Sequence, residues 1–237
     1  MSLRVDSEGV KAGPVLALLV WGLCAPGAAF ADSAPGDVAE GADADGASRR
    51  RKAPGYAVPD EQLRRKPPPP PSGNLHLHDP YRHESLKINI YNPDGSYNVK
   101  ALQALSRFLR CRRTGTVADM EPRLFAVLSH VFDHFGERAI EVTSGYRNQR
   151  RSTSNHHRGS ATDIFIAGVK PKDLRAFVET LDAGGLGVGF YPTSGFVHVD
   201  IRPPPSYRWI DRSRSDPDDP DRRPPPAFKL RKRRLQS

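Results

Sequence analysis

Regular apolar spacing in this chain has sharp limits, and those limits constrain its fold more than any other feature. Between about residues 82 and 210, apolar side chains recur at strand and helix periods. Outside that stretch, prolines, charges and small residues dominate. On the N-terminal side lie the acidic "DVAEGADADGA" and then "RRKPPPPP", Arg64 to Pro71. On the C-terminal side lie "DPDDPDRRPPP" and "KLRKRR". A segment without apolar periodicity has little surface to bury and little to offset the entropy of ordering. The expected organisation is therefore a domain over residues 81–210 between a disordered Pro-rich linker, 32–80, and a disordered basic tail, 211–237.

The first 31 residues form a separate unit. Arg4 and Lys11 begin it, "GPVLALLVWGLCAPG" is its apolar middle, and Ala29-Phe30-Ala31 ends it in a small-x-small pattern. That order reads as a secretory signal peptide, 1–31, and predicts an exported protein. The apolar run is short for a bilayer span, so no transmembrane segment is expected after signal removal. The chain has 2 cysteines. Cys24 leaves with the signal, and Cys111 alone cannot form an intrachain disulfide. The fold must stand on its apolar core, with help from a metal if it binds one.

Within the central stretch, "LKINIYN" alternates as a strand. Asn98 is placed to cap a helix bearing Leu102, Leu105 and Leu109. Pro122 suits the first turn of a second helix with Leu124, Val127, Leu128 and Val131. "AIEVT" and "DIFI" read as strands, and Pro171 opens a third helix. "GVGFY" and "FVHVDIR" read as the last strands. The order predicts an α+β domain, an antiparallel sheet with helices on one side.

The candidate chemistry lies in "SNHHRGSATD", residues 154–163, and in "FVHVD", residues 196–200. Two imidazoles and a carboxylate form a usual catalytic zinc set, with a fourth position left to water. His156 and Asp163 are near neighbours across a loop-to-strand turn, and Gly159 allows that turn to be tight. Strand alternation puts Phe196, His198 and Asp200 on one face. On spacing alone, His156 could equally be an ordinary loop residue and His198 a satisfied core histidine. The tract with His76, His78 and His83, and the pair His130 and His134, lack partners that would complete a metal site.

Ser154, His156, Gly159, Ala161 and Asp163 match S-x-H-x-x-G-x-A-x-D at every fixed position. "SGYR", Ser144 to Arg147, precedes them, and "GVGFYPTSGFVHVD" and "YRW" follow. Together these resemble the D-alanyl-D-alanine carboxypeptidase and hedgehog-like zinc peptidase superfamily, in its murein endopeptidase K-like branch. The resemblance implies Zn2+ held by His156, Asp163 and His198, with Arg147 facing the substrate. It implies hydrolysis of peptide crosslinks or stem peptides of peptidoglycan, in the periplasm or cell wall. Many relatives carry an acidic base three residues before the last histidine ligand, where this chain has Gly195. Asp200 is then the candidate base, with a second possible role of orienting His198.

A formal net charge of +9 suits an anionic partner such as cell-wall polymer. Two rival readings remain at this level: a zinc-containing wall-binding module without hydrolysis, and a nucleic-acid binder. The second requires the export signal to be false, so no nucleic-acid partner is expected.

Overall fold

A computed structural model describes residues 54–149 and 153–213. The signal peptide and the tail beyond residue 213 lie outside the described residues, as does the linker before residue 54.

Eight strands and three helices make up the domain. In chain order they are β1 (Gly55–Ala57), β2 (Asn74–Asp79), β3 (Glu84–Asn89), α1 (Val99–Phe108) and α2 (Pro122–His134), then β4 (Ile140–Ser144) and β5 (Ala161–Ile166). α3 (Pro171–Thr180), β6 (Leu186–Tyr191), β7 (Phe196–Ile201) and β8 (Tyr207–Ile210) complete it. The strands form one sheet in the order β1-β8-β6-β7-β5-β4-β2-β3.

The helices begin where local chemistry predicts. The Asn98 side chain accepts from the Ala101 N–H at 3.1 Å, satisfying an otherwise unpaired first-turn donor. Pro122 and Pro171 each occupy the first turn of a helix, where no intrahelical N–H partner is needed. Leu105, Leu124, Leu128, Val131, Leu174 and Val178 from these helices are buried. They share one core with Leu75, Leu77, Ile140, Val142, Ile164, Val188, Val197 and Val199 of the sheet. The alternate strand positions, including Asp163, His198 and Asp200, belong to the opposite face.

Two expectations are corrected. The sheet is mixed rather than antiparallel, because β2 pairs with β4 and β6 with β8 in parallel. Each parallel pair is separated by intervening structure long enough to bring the chain back in the same direction. β3, α1 and α2 lie between β2 and β4, and β7 lies between β6 and β8.

The ordered region also starts earlier than residue 81. β1 pairs with β8, and β2 lies between β3 and β4. Leu75 and Leu77 are core residues. β1 is three residues long, and β2 alternates histidine with leucine. Neither pattern stands out beside a polyproline run, yet pairing with distant strands buries both leucines.

Candidate metal centre

Asp163 lies on β5 and His198 directly across from it on β7. His156 comes from the loop after β4. Gly159, at φ +72°, turns that loop back toward β5, and a Cβ there would overlap the Asp119 carbonyl oxygen. The Gly159 carbonyl in turn accepts from the Glu121 N–H at 2.9 Å, tying the loop to the start of α2.

Three donor atoms converge. His198 Nδ1 is 2.7 Å from Asp163 Oδ1, His156 Nε2 is 3.1 Å from His198 Nδ1, and His156 Nε2 is 3.4 Å from Asp163 Oδ1. Ligand atoms about 2.0–2.2 Å from a tetrahedral zinc stand roughly 3.3 Å from one another, so this triangle has the size of one face of such a site. All three side chains are buried. Each histidine's other nitrogen is engaged. His156 Nδ1–H donates to the Gly145 carbonyl at 2.8 Å, which leaves Nε2 as the lone-pair atom. His198 Nε2–H donates to Asp200 Oδ2 at 3.0 Å, which leaves Nδ1 facing Asp163. Fixing a ring's far nitrogen is how proteins aim histidine at a metal. The residues present fit Zn2+.

The electrostatics of these side chains follow from burial and charge. Burial, aided by the Arg147 cation, pushes His156 down to about 4. Burial also acts to lower His198, but its hydrogen bonds to the Asp163 and Asp200 carboxylates outweigh it and raise the ring to about 9. Asp163 is held well below the carboxylate range: burial opposes this, and the histidines and Arg147 prevail.

Arg147 lies beside the donor triangle. Its Nη2 donates to Asp163 Oδ2 at 2.6 Å and its Nε to Ser144 Oγ at 2.8 Å. Asp200 lies on the far side of His198 from the donor triangle, fully buried. Its Oδ1 accepts from Asn155 Nδ2 at 2.9 Å and Arg202 Nε at 2.7 Å. Its Oδ2 accepts from His198 Nε2 at 3.0 Å and Arg202 Nη2 at 2.5 Å. A carboxylate offers about four acceptor positions, so this one is filled. Gly195 adopts φ +82° in the turn between β6 and β7, a conformation that an acidic side chain there would enter only under strain.

Four other histidines have ordinary partners. His76 meets Ser85 Oγ at 2.9 Å, and His78 meets Glu141 at 2.7 Å. His134 stacks on Phe177 with ring centres 3.7 Å apart. His157, beside the ligand candidate, turns Nδ1 to the Arg147 carbonyl at 3.2 Å and stacks on Tyr146. Asn155 and Arg202 were not singled out in the sequence. Strand alternation from His198 through Asp200 to Arg202 is the signal that could have found Arg202.

The family model described as peptidoglycan L,D-endopeptidase MepK matches residues 71–207. The chain belongs to the MepK peptidase family. A Haemophilus influenzae protein named "Probable peptidoglycan L,D-endopeptidase MepK" is 36% identical over 128 residues, covering 48% of this chain and 68% of that protein. Peptidoglycan L,D-endopeptidase MepK of Escherichia coli K12 is 32% identical over 142 residues, covering 54% of this chain and 76% of its own length. The family match begins at residue 71 and so includes β2, in agreement with the sheet. No solved structure matches the chain.

Proposed function

We propose that this protein is a zinc metallopeptidase that hydrolyses peptide crosslinks or stem peptides of peptidoglycan. The observation that carries the reading is the convergence of His156 Nε2, Asp163 Oδ1 and His198 Nδ1 in a chain of the MepK family. His156, Asp163 and His198 would hold the ion. Zn2+, when bound, supplies a Lewis acid for the peptide carbonyl and a water of pKa about 7.

The remaining work belongs to the chain. Arg147 is oriented by Asp163 and Ser144 beside the donor triangle. Its guanidinium suits either the oxyanion that develops on the peptide carbonyl or a substrate carboxylate. Asp200 has both oxygens occupied and lies behind His198. Its role is therefore to hold the ring in place and strengthen its donor nitrogen, not to take a proton from water. The basic chain suits an anionic wall polymer, and a peptidoglycan substrate places the enzyme outside the cytoplasmic membrane. Among the described residues no helix is long and apolar enough to cross a membrane.

The test pairs metal content with muropeptide release from defined crosslinked peptidoglycan. Wild type should release fragments, and a chelator should stop release. His156→Ala, Asp163→Ala and His198→Ala should each lose most bound zinc, because two protein donors seldom hold it. Co-sedimentation with peptidoglycan without any release would favour a non-catalytic wall-binding module. Full zinc occupancy in any of the three variants would overturn its ligand assignment.

A further inference from the structure

Strand register places a large aromatic side chain in the same row as the metal centre. Trp209 on β8 is opposite Gly189 on β6, Gly189 is opposite His198 on β7, and His198 is opposite Asp163 on β5. A Cβ on Gly189 would overlap the indole, so the ring lies across the strand at the one residue that leaves room for it. The indole centre is 5.0 Å from the His198 ring. Its Nε1–H donates to Tyr191 Oη at 3.1 Å, which fixes its rotation. The Arg202 guanidinium lies 5.7 Å from its centre while also binding Asp200. In the next row Tyr207 is opposite Gly187.

Trp209 is half-buried and does not belong to the apolar core. An indole held in one orientation beside a buried metal-ligand candidate, with part of its surface open, is not needed for core packing. A rigid aromatic surface suits peptide groups and short aliphatic side chains, since a two-torsion side chain loses little entropy on contact.

We propose that Trp209 is a substrate-contacting residue, whose indole forms the β8-side wall of the metal centre and stacks on one arm of the peptide substrate. The proposal rests on the peptidase reading of the site. Gly189 is its positioning partner, since the absent side chain is what lets the ring lie there.

The sequence supplies a direct probe. The chain has 2 tryptophans, Trp21 and Trp209. In full-length protein carrying Trp21→Phe, tryptophan fluorescence reports Trp209 alone. A defined crosslinked muropeptide dimer is titrated into this chelated protein, so that binding is read without turnover. The expected result is a saturable fluorescence change. In zinc-loaded protein, Trp209→Ala should raise KM roughly tenfold, as expected for a central aromatic contact. Both kcat and zinc content should stay within about twofold of wild type, the mark of lost binding rather than lost chemistry. Trp209→Phe should fall between, and Gly189→Ala should copy the KM effect by displacing the ring.

The proposal is overturned if no fluorescence change accompanies saturating dimer. It is overturned equally if the variants keep wild-type KM, or if they lose zinc and kcat together, which would mean that the ring only shields His198. Failure of the peptidase reading looks different. Zinc-loaded wild type would cleave nothing, while the fluorescence titration would still decide whether Trp209 meets the peptide.

Discussion

Asn155 and Asp200 are joined by a 2.9 Å hydrogen bond between residues 45 positions apart. Asn155 precedes His156 in its loop, and Asp200 supports His198 on its strand. The bond therefore couples the two elements that carry the histidine donors. Asp200→Ala should reduce zinc affinity by about 10–100-fold, with activity restored by added zinc. Asn155→Ala should act in the same direction and by less, since Arg202 still holds Asp200. Competitive metal titration reads both. Retained zinc with activity lost beyond rescue in Asp200→Ala would show that Asp200 is the base instead.

Chelated protein should show a stability maximum near pH 6.5. His198 has its folded value raised to about 9, so its contribution is present below 6.5 and is lost as pH rises toward 9. His156 has its folded value lowered to about 4, so its contribution is lost as pH falls from 6.5 toward 4. Each limb should be on the order of 3 kcal/mol. Zinc keeps both rings neutral as ligands, so the alkaline limb should flatten in metal-loaded protein. Denaturant melts across pH, with and without zinc, check this. A flat chelated profile would refute the assigned environments.

Trimming the N-terminal arm should be tolerated only up to β1. Removing residues 1–53 leaves every described contact in place. Removing residues 1–75 takes away β1, the Val58 N–H bond to the Ser206 carbonyl and the buried Leu75. Leu75 burial alone is worth about 1.5–3 kcal/mol. The second truncation should lower Tm by at least ~5 °C, while the first should leave it near that of the full chain. Equal melting of the two would mean that β1 and the first two residues of β2 add nothing.

Arg112 holds the end of β4 in place. It donates to Asp79 Oδ1 at 3.1 Å and Oδ2 at 3.2 Å, and to the Val142 and Thr143 carbonyls. Asp79 is fully buried and also accepts from the Tyr81 and Arg82 N–H groups. Arg112→Ala leaves this carboxylate without one of its charge partners and should cost about 3–5 kcal/mol in urea unfolding. Adding Asp79→Asn to Arg112→Met should recover part of the loss relative to Arg112→Met alone. A cost below about 1 kcal/mol for Arg112→Ala would place the pair among weak surface contacts.

Some of this molecule is written in short-range order. The helix at Asn98, the proline starts at 122 and 171, and the alternation through Val197, Val199 and Ile201 depend on neighbours within a few residues. Such patterns can be read from the chain before it folds. The S-x-H-x-x-G-x-A-x-D stretch is similar: His156 and Gly159 lie in the loop that leads into β5, where Asp163 stands, and that loop needs its glycine for the positive φ. The block around His198 is distinctive, although spacing alone left an ordinary core histidine as an open reading.

Long-range pairing decided the rest. β1 and β2 carry too few apolar residues to announce themselves, and they are strands because β8, β3 and β4 supply their hydrogen-bond partners. Asp200 reads in the sequence as a base or a support, and only the folded chain brings Asn155 and Arg202 onto its oxygens. Trp209 meets His198 only because β6 places Gly189 between them. A side chain's charge state, accessible lone pairs and neighbours across a sheet belong to the folded arrangement. Residues far apart in sequence determine them together, and local order carries no record of that meeting.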